Sequence, residues 1–256
     1  MDSDLTGRVA LVTGGSRGIG RAIALGLARA GAKIVIASRK QTGVDAVAAE
    51  IQSLGGAVLA VAAHVGDEEA IASLVARAEE TFGRIDILVN NAATNPHFGP
   101  LLDATPAQWD KIMQVNLRGV FLMCKQVAPG MKDRRTGSII NIASIEGLHP
   151  SRWTGVYSVS KAALILLTRA LAQELGPFGV RVNALAPGLI KTDFSRALWE
   201  SPAVAEAVAN RTPLGRLGEP DDIVGAALFL ASAASAYVNG AILTVDGGLT
   251  AGGPVD

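Results

Sequence analysis

Apolar residues follow two alternating patterns along the chain. Short unbroken runs rich in Val, Ile and Ala recur at positions 8–13, 33–37, 57–63, 86–90, 138–144, 180–186 and 241–245. Continuous apolar runs of that length suit strands covered on both faces. Between them, positions 21–30, 42–54, 67–82, 106–131, 162–175 and 219–231 carry apolar residues at helical spacing. Strand and helix in strict alternation predict an α/β fold, a doubly wound parallel sheet with helices on both faces. Residues 188–215 keep no sustained period; they follow Pro187-Gly188 and contain Phe194, Leu198 and Trp199. That stretch is expected to be an irregular, partly helical lid inserted into a single domain spanning 1–256.

Composition narrows the function. In 256 residues, 49% are hydrophobic and 18% charged, which is enough apolar material for a large core. Lys+Arg and Asp+Glu are equal at 23, so no overall field attracts nucleic acid or an anionic membrane. The single cysteine, Cys124, excludes an internal disulfide framework and fits a reducing compartment. His64, His97 and His149 are scattered without metal-ligand spacing, so no metal is expected. The start, Met1-Asp2-Ser3-Asp4, does not read as a signal or transit peptide, and no apolar run approaching 18 residues is apparent.

The first strand runs into Gly14-Gly-Ser-Arg-Gly18-Ile-Gly20 and then a helix, the order a dinucleotide site requires. Gly14 suits a tight turn, Gly18 a close backbone approach to pyrophosphate, and Gly20 helix-on-strand packing. An ordinary βα turn would use the same glycines. At the end of the second strand, an NAD site places an acid for the ribose hydroxyls, whereas this chain has Ser38-Arg39-Lys40. Arg39, with Arg17 in the glycine loop, suits the extra phosphate of NADP; solvated surface arginines are the plainer alternative. Asn116 sits inside a helical stretch, where asparagine competes with the backbone for hydrogen bonds. It is either a satisfied buried amide or a working group.

Ser144 ends the 138–144 strand, and Tyr157-Ser-Val-Ser-Lys161 opens the next helix. Positions i and i+4 share a helix face, so the phenol and the ammonium are expected side by side. A tyrosine titrates near pH 10 in water, and a cation within a few Å favours its phenolate. Such a pair makes an acid/base, with the Ser144 hydroxyl aimed at the same point. A tyrosine packed beneath a lysine stem has the same spacing.

Taken in order, Thr13-Gly14-x-x-x-Gly18-x-Gly20, Asn90-Asn91-Ala92, Asn116, Ser144, Tyr157-x-x-x-Lys161 and Pro187-Gly188 resemble the short-chain dehydrogenase/reductase family over the whole chain. The resemblance implies a Rossmann-type parallel sheet of about seven strands. It implies that Tyr157 is the general acid/base, that Lys161 lowers its pKa, that Ser144 bonds the substrate oxygen and that Asn116 supports a proton relay. It places a nicotinamide cofactor on Gly14, Ser16, Arg17, Gly18, Ile19 and Gly20, then on Ser38, Arg39 and Lys40. Further contacts would come from His64 and Val65, from Asn91, Ala92 and Ala93, from Tyr157 and Lys161, and from Pro187, Gly188, Ile190 and Thr192.

The segments 37–41, His64-Val65-Gly66, 91–99 and 185–199 are similar to the NADP-dependent retinal and carbonyl reductase branch of that family. This implies NADP(H), with NAD(H) as the lesser cofactor, and a bulky apolar or aromatic ketone or aldehyde. The chain departs from the family's usual pattern with His64 in place of Asp and Ala93 in place of Gly. Pro254-Val255-Asp256 is not the peroxisomal ending of the animal branch, so a cytoplasmic protein is expected.

Thr94, Phe98, Ile145, Glu146, Trp153, Leu189, Phe194 and Trp199 follow or face these segments and are expected to line the substrate pocket. The 162–167 run is apolar nearly all round its helix, and the family implies a homotetramer built on it and on the Asn116 helix. A 3-oxoacyl thioester reductase is the rival enzyme, with Arg134-Arg135 as a thin basic platform. A dinucleotide sensor without turnover is the rival from another class, though it would not need Tyr157 and Lys161.

Overall fold

A computed structural model describes residues 4–251. The readings placed on Met1–Ser3 and Pro254–Asp256 lie outside them. Seven strands, β1 (Val9–Thr13), β2 (Lys33–Ser38), β3 (Val58–Ala62), β4 (Ile87–Asn90), β5 (Gly137–Ile142), β6 (Val180–Pro187) and β7 (Ile242–Val245), form one parallel sheet in the order β3-β2-β1-β4-β5-β6-β7. Order reverses between β1 and β4, which opens a crevice at their C-terminal ends, where such sheets bind ligand.

The helices are α1 (Gly18–Arg29), α2 (Gln41–Ser53), α3 (Glu68–Phe82), α4 (Pro106–Met113), α5 (Gly119–Asp133), α6 (Gly155–Leu175), α7 (Arg196–Trp199), α8 (Pro202–Arg211) and α9 (Val224–Ala231). Alternate strand residues feed two cores. Ala10, Val12, Ile34 and Ile36 meet the side carrying Ile23, Leu27, Val44 and Leu230 from α1, α2 and α9. Leu11, Val35 and Leu88 meet the side carrying Ile71, Leu74, Met123, Val127 and Leu164 from α3, α5 and α6. The two-residue period of a strand makes both faces apolar here. Local signals set the helix ends: Asp67 caps α3 by accepting from Glu69 N and Ala70 N at 3.0 and 3.1 Å, and Thr105 and Gln108 form a capping box before α4.

Three expected elements differ. The helix expected over 106–131 is two helices joined by a π-helical turn, Gln114–Arg118, with Asn116 at its centre. Close passage helps explain the break: a Cβ on Gly119 would lie 2.4 Å from Val65 O. The helix expected over 219–231 begins as a tighter turn, Pro220–Ile223. Strand β5 ends at Ile142, so Ser144 stands on the turn beyond it.

A polar ladder crosses the apolar interior. Asn90 Nδ2 donates to Asn141 Oδ1 at 2.9 Å, Asn141 Nδ2 to Thr168 Oγ1 at 2.9 Å, and Thr168 Oγ1 to Leu164 O at 2.8 Å. Helix α6 is the one described helix long and apolar enough to cross a membrane. It carries Lys161 and Arg169 and packs on β6.

Candidate active site

At the crevice, Gly14 and Gly18 take left-handed backbone conformations with φ of +65° and +53°. A Cβ on Gly14 would come 2.7 Å from Asn91 Nδ2, and one on Gly20 2.4 Å from Gly14 O. Asn91 Nδ2 donates to Thr13 O and Gly14 O at 3.0 and 3.1 Å, while Thr13 Oγ1 accepts from Asn91 N and Ala92 N at 3.1 and 3.2 Å. The loop after β4 is thereby stitched to the glycine loop. Helix α1 has Arg17 at its N-cap position, with no side-chain cap and no acid in its first turn. Its leading N–H groups and dipole suit an anion, and a backbone cradle that no Cβ could occupy suits a pyrophosphate. The residues present fit a dinucleotide.

Ser38 ends β2, and a Cβ on Gly43 would meet Ser16 Cβ at 3.1 Å, so Ser16, Ser38 and the exposed Arg39 and Lys40 share one edge. Arg17 reaches elsewhere: its Nη1 lies 3.1 Å from Asp193 Oδ2 on the lid. Thr192 is also close to the loop, its Cγ2 lying 3.1 Å from where a Gly18 Cβ would be. Val65 is buried, and His64 faces Lys111, with Nε2 3.4 Å from Nζ.

Ser144 Oγ accepts from Glu146 N at 3.1 Å and caps the Ile145–Gly147 turn, and its hydroxyl draws the Tyr157 pKa down. Lys161, 2% exposed, donates from Nζ to Ile142 O at 2.7 Å and stands 5.4 Å from the Tyr157 ring centroid. The phenol, the serine and the lysine are thus brought together as expected. Burial pushes the Tyr157 phenol upward, the Glu146 carboxylate pushes it further, and only the Ser144 hydrogen bond pulls it down. Burial alone draws Lys161 down to about 7. The largest contribution to the phenol's shift is burial, ahead of Glu146 and Ser144. Spacing shows adjacency but not depth, and a dry site disfavours the charged form of both partners. Near neutral pH the phenol is therefore held as an acid.

The Glu146 carboxylate accepts from Thr154 Oγ1 and from Ser158 Oγ at 3.2 Å, and burial raises its pKa. Asn116, fully buried, accepts from Thr94 N at 2.8 Å and donates to Thr94 O at 3.0 Å and Ser160 Oγ at 3.1 Å. It pins the loop after β4 to α6.

Aromatic groups gather at the mouth. Phe98 and Trp153 stack with centroids 6.4 Å apart, and the Phe194 ring lies 5.8 Å from that of Tyr157. Trp199 donates from Nε1 to Thr192 O at 2.8 Å, which braces the segment after β6. Leu189 and Ile190 line a separate cavity with Leu217 and Val245 beneath the lid. Ala93 and Ile145 are half-buried beside the crevice segments. Sequence reasoning did not single out Lys111 or Thr154, whose roles depend on partners distant in the chain.

Residues 14–250 match the family model described as Enoyl-(Acyl carrier protein) reductase. Dehydrogenase/reductase SDR family member 4 of Oryctolagus cuniculus is 47% identical over 244 residues, covering 95% of this chain and 94% of that one. The crystal structure of a gluconate 5-dehydrogenase from Burkholderia cenocepacia J2315, in complex with NADP and tartrate, superposes with a TM-score of 0.94 at 40% identity, covering 98% of both chains. Levodione reductase superposes with a TM-score of 0.93 at 35% identity, covering 96% of this chain and 98% of that one.

Proposed function

The chain belongs to the short-chain dehydrogenase/reductase family of oxidoreductases, and from that premise we propose that it reduces an apolar or aromatic ketone or aldehyde to its alcohol with NADP(H). The carrying observation is the half-buried Tyr157 phenol, drawn down in pKa by Ser144 and set beside Lys161 and the Phe194 ring. A bound nicotinamide supplies the hydride. Ser144 and Tyr157 hold the carbonyl oxygen, and Tyr157 gives it a proton as negative charge develops. Lys161 is the nearby group whose ammonium can neutralise the resulting phenolate. Asn116 keeps the Thr94 loop in register with α6, and Phe194 excludes water from the reacting oxygen.

NADP preference is supported by Ser38-Arg39-Lys40, which offers no carboxylate for a ribose hydroxyl. The Phe98–Trp153 stack and Phe194 favour an apolar carbonyl over a sugar. A thioester reductase is less well supported, because Arg134 and Arg135 donate to Ile85 O and Pro177 O at 2.7 and 3.0 Å instead of forming an open basic platform. We also infer a homotetramer, supported by the exposed apolar groove of Met113, Leu117, Phe121, Leu166 and Leu167 between the Asn116 turn and α6, and a cytoplasmic location, in keeping with the free thiol of the single cysteine, Cys124.

Initial rates with NADPH and NADH, on an aromatic diketone, a long aldehyde, a sugar and an acetoacetyl thioester, test this reading. We expect NADPH oxidation with the first two substrates, and its loss by at least about a thousandfold in Tyr157→Phe. Turnover of the thioester alone, or undiminished activity in Tyr157→Phe, would sink the proposal.

A further inference from the structure

Glu146 joins the two elements that carry the reacting groups. It lies on the Ile145–Gly147 turn that follows Ser144, and its N–H donates to Ser144 Oγ. Its side chain reaches across to the start of α6, where one oxygen, Oε2, accepts from both Thr154 Oγ1 and Ser158 Oγ. Both of those residues are buried, and Ser158 is the neighbour of Tyr157 in the chain. The turn also runs tight against the helix, since a Cβ on Gly147 would lie 2.7 Å from Lys161 C. One side chain thus helps to fix where the serine stands relative to the tyrosine and the lysine.

The start of α6 explains why that side chain is an acid. The helix has no acid in its own first turn, and its N-cap residue Thr154 makes no side-chain cap bond. Its leading N–H groups favour a negative group, and Glu146 brings one from the neighbouring turn. Burial pulls the carboxyl towards its neutral form, while the two hydroxyls hold it ionised. An ionised Glu146 opposes a second negative charge on the Tyr157 oxygen. The facing cation is Lys161, on the same helix as the phenol. Asp103, His149 and Arg152, on the segments leading to α6, are exposed. On the lid, Asp193 is engaged with Arg17 and Arg196; on the loop after β4, His97 Nε2 lies 2.9 Å from Pro100 O.

We propose that Glu146 is a positioning residue for the proton step: its carboxylate ties the Ser144 turn to the start of α6, and its negative charge holds the proton on the Tyr157 phenol. The inference rests on the reading of Tyr157 as the proton donor. Because both hydroxyls donate to a single oxygen, an amide at position 146 keeps the tie and loses only the charge. A methyl group there loses both.

The chain has two tyrosines, and Tyr237 is fully exposed, so Tyr237→Phe leaves Tyr157 as the one phenol whose ionisation is read by tyrosinate absorbance. In that background, without substrate, we expect Glu146→Gln to move the Tyr157 titration towards acid by at least about half a pH unit. The same midpoint in both proteins, whether the phenol or unfolding sets it, overturns the inference. For the tie, kcat on the aromatic diketone should fall at least about tenfold further in Glu146→Ala than in Glu146→Gln, with circular dichroism reporting that both are folded. Thr154→Val combined with Ser158→Ala removes the donors instead of the acceptor and should match the loss of Glu146→Ala. Losses in these variants no larger than that of Glu146→Gln overturn the tie. If the unaltered protein reduces no carbonyl compound, the reductase reading fails, and the absorbance titration still decides whether Glu146 governs the phenol.

Discussion

At Lys161 a charge has been taken out of water, and burial alone moves its titration from 10.5 down to about 7. Between those values the folded chain has shed a proton that the unfolded chain still holds, so the unfolded state binds more protons and stability climbs with pH. Above the ordinary tyrosine value of 10.0 the slope turns over, because Tyr157 keeps in the fold a proton that the unfolded chain loses. Thermal midpoints should therefore rise from pH 7 towards pH 10 in the unaltered protein. Lys161→Met should flatten that rise and raise the midpoint at pH 7, the gain being bounded at about 4 kcal/mol. Parallel curves for the two proteins across this range would show that Lys161 carries no such burden. At this scale the identities of the reacting groups were legible from spacing alone: Tyr157, Lys161 and Ser144 meet where expected. Their protonation was not legible, because depth beneath the surface is set by elements far away in the chain. Arg17 makes the same point: its glycine-loop position was plain, but its contact with Asp193 lies 176 residues away.

Among the elements, the strands stood within two residues of where the apolar rhythm put them, and the helices expected over 42–54 and 67–82 within one. The π-helical turn at Asn116 did not, since a one-residue widening of a helix leaves the 3.6-residue pattern almost unchanged. At its centre a buried amide bonds both Thr94 N and Thr94 O. The lid gave no period, yet it is well tied: Ser195 Oγ donates to Ile190 O at 2.5 Å and Trp199 to Thr192 O at 2.8 Å. Phe194 on this element and Trp153 before α6 are both about half exposed, as groups waiting on a substrate would be. Phe194→Ala and Trp153→Ala should each lower kcat/KM for an aromatic diketone by about tenfold or more while changing a small ketone by less than about threefold. Equal losses on both substrates would mean that these rings serve the lid and not the substrate.

Over the whole molecule, the groove between the Asn116 turn and α6 leaves Phe121 and Leu166 45% and 67% exposed. Apolar side chains in such a contiguous strip mark an interface. Leu166→Arg is expected to reduce the mass seen by light scattering at micromolar concentration while leaving the circular dichroism of the sheet and helices unchanged. An unaltered mass in that variant would place the subunit contact on another face.

The polar ladder from Asn90 through Asn141 to Thr168 has a consequence for how the chain finds one arrangement among many. Seven strands made mostly of Val, Ile, Leu and Ala are nearly interchangeable as sticky edges, and hydrophobic attraction alone barely tells one alignment from its neighbour. Sliding β5 past β4 by a single residue would turn Asn141 to the opposite side of the sheet and strand two amides in a dry interior, at a cost of about 1–3 kcal/mol for each lost partner. Asn90 and Asn141 therefore act as a key cut into an otherwise blank pair of blades. Because Ser144 lies three residues beyond Asn141, the same key decides whether the serine arrives opposite the tyrosine at all.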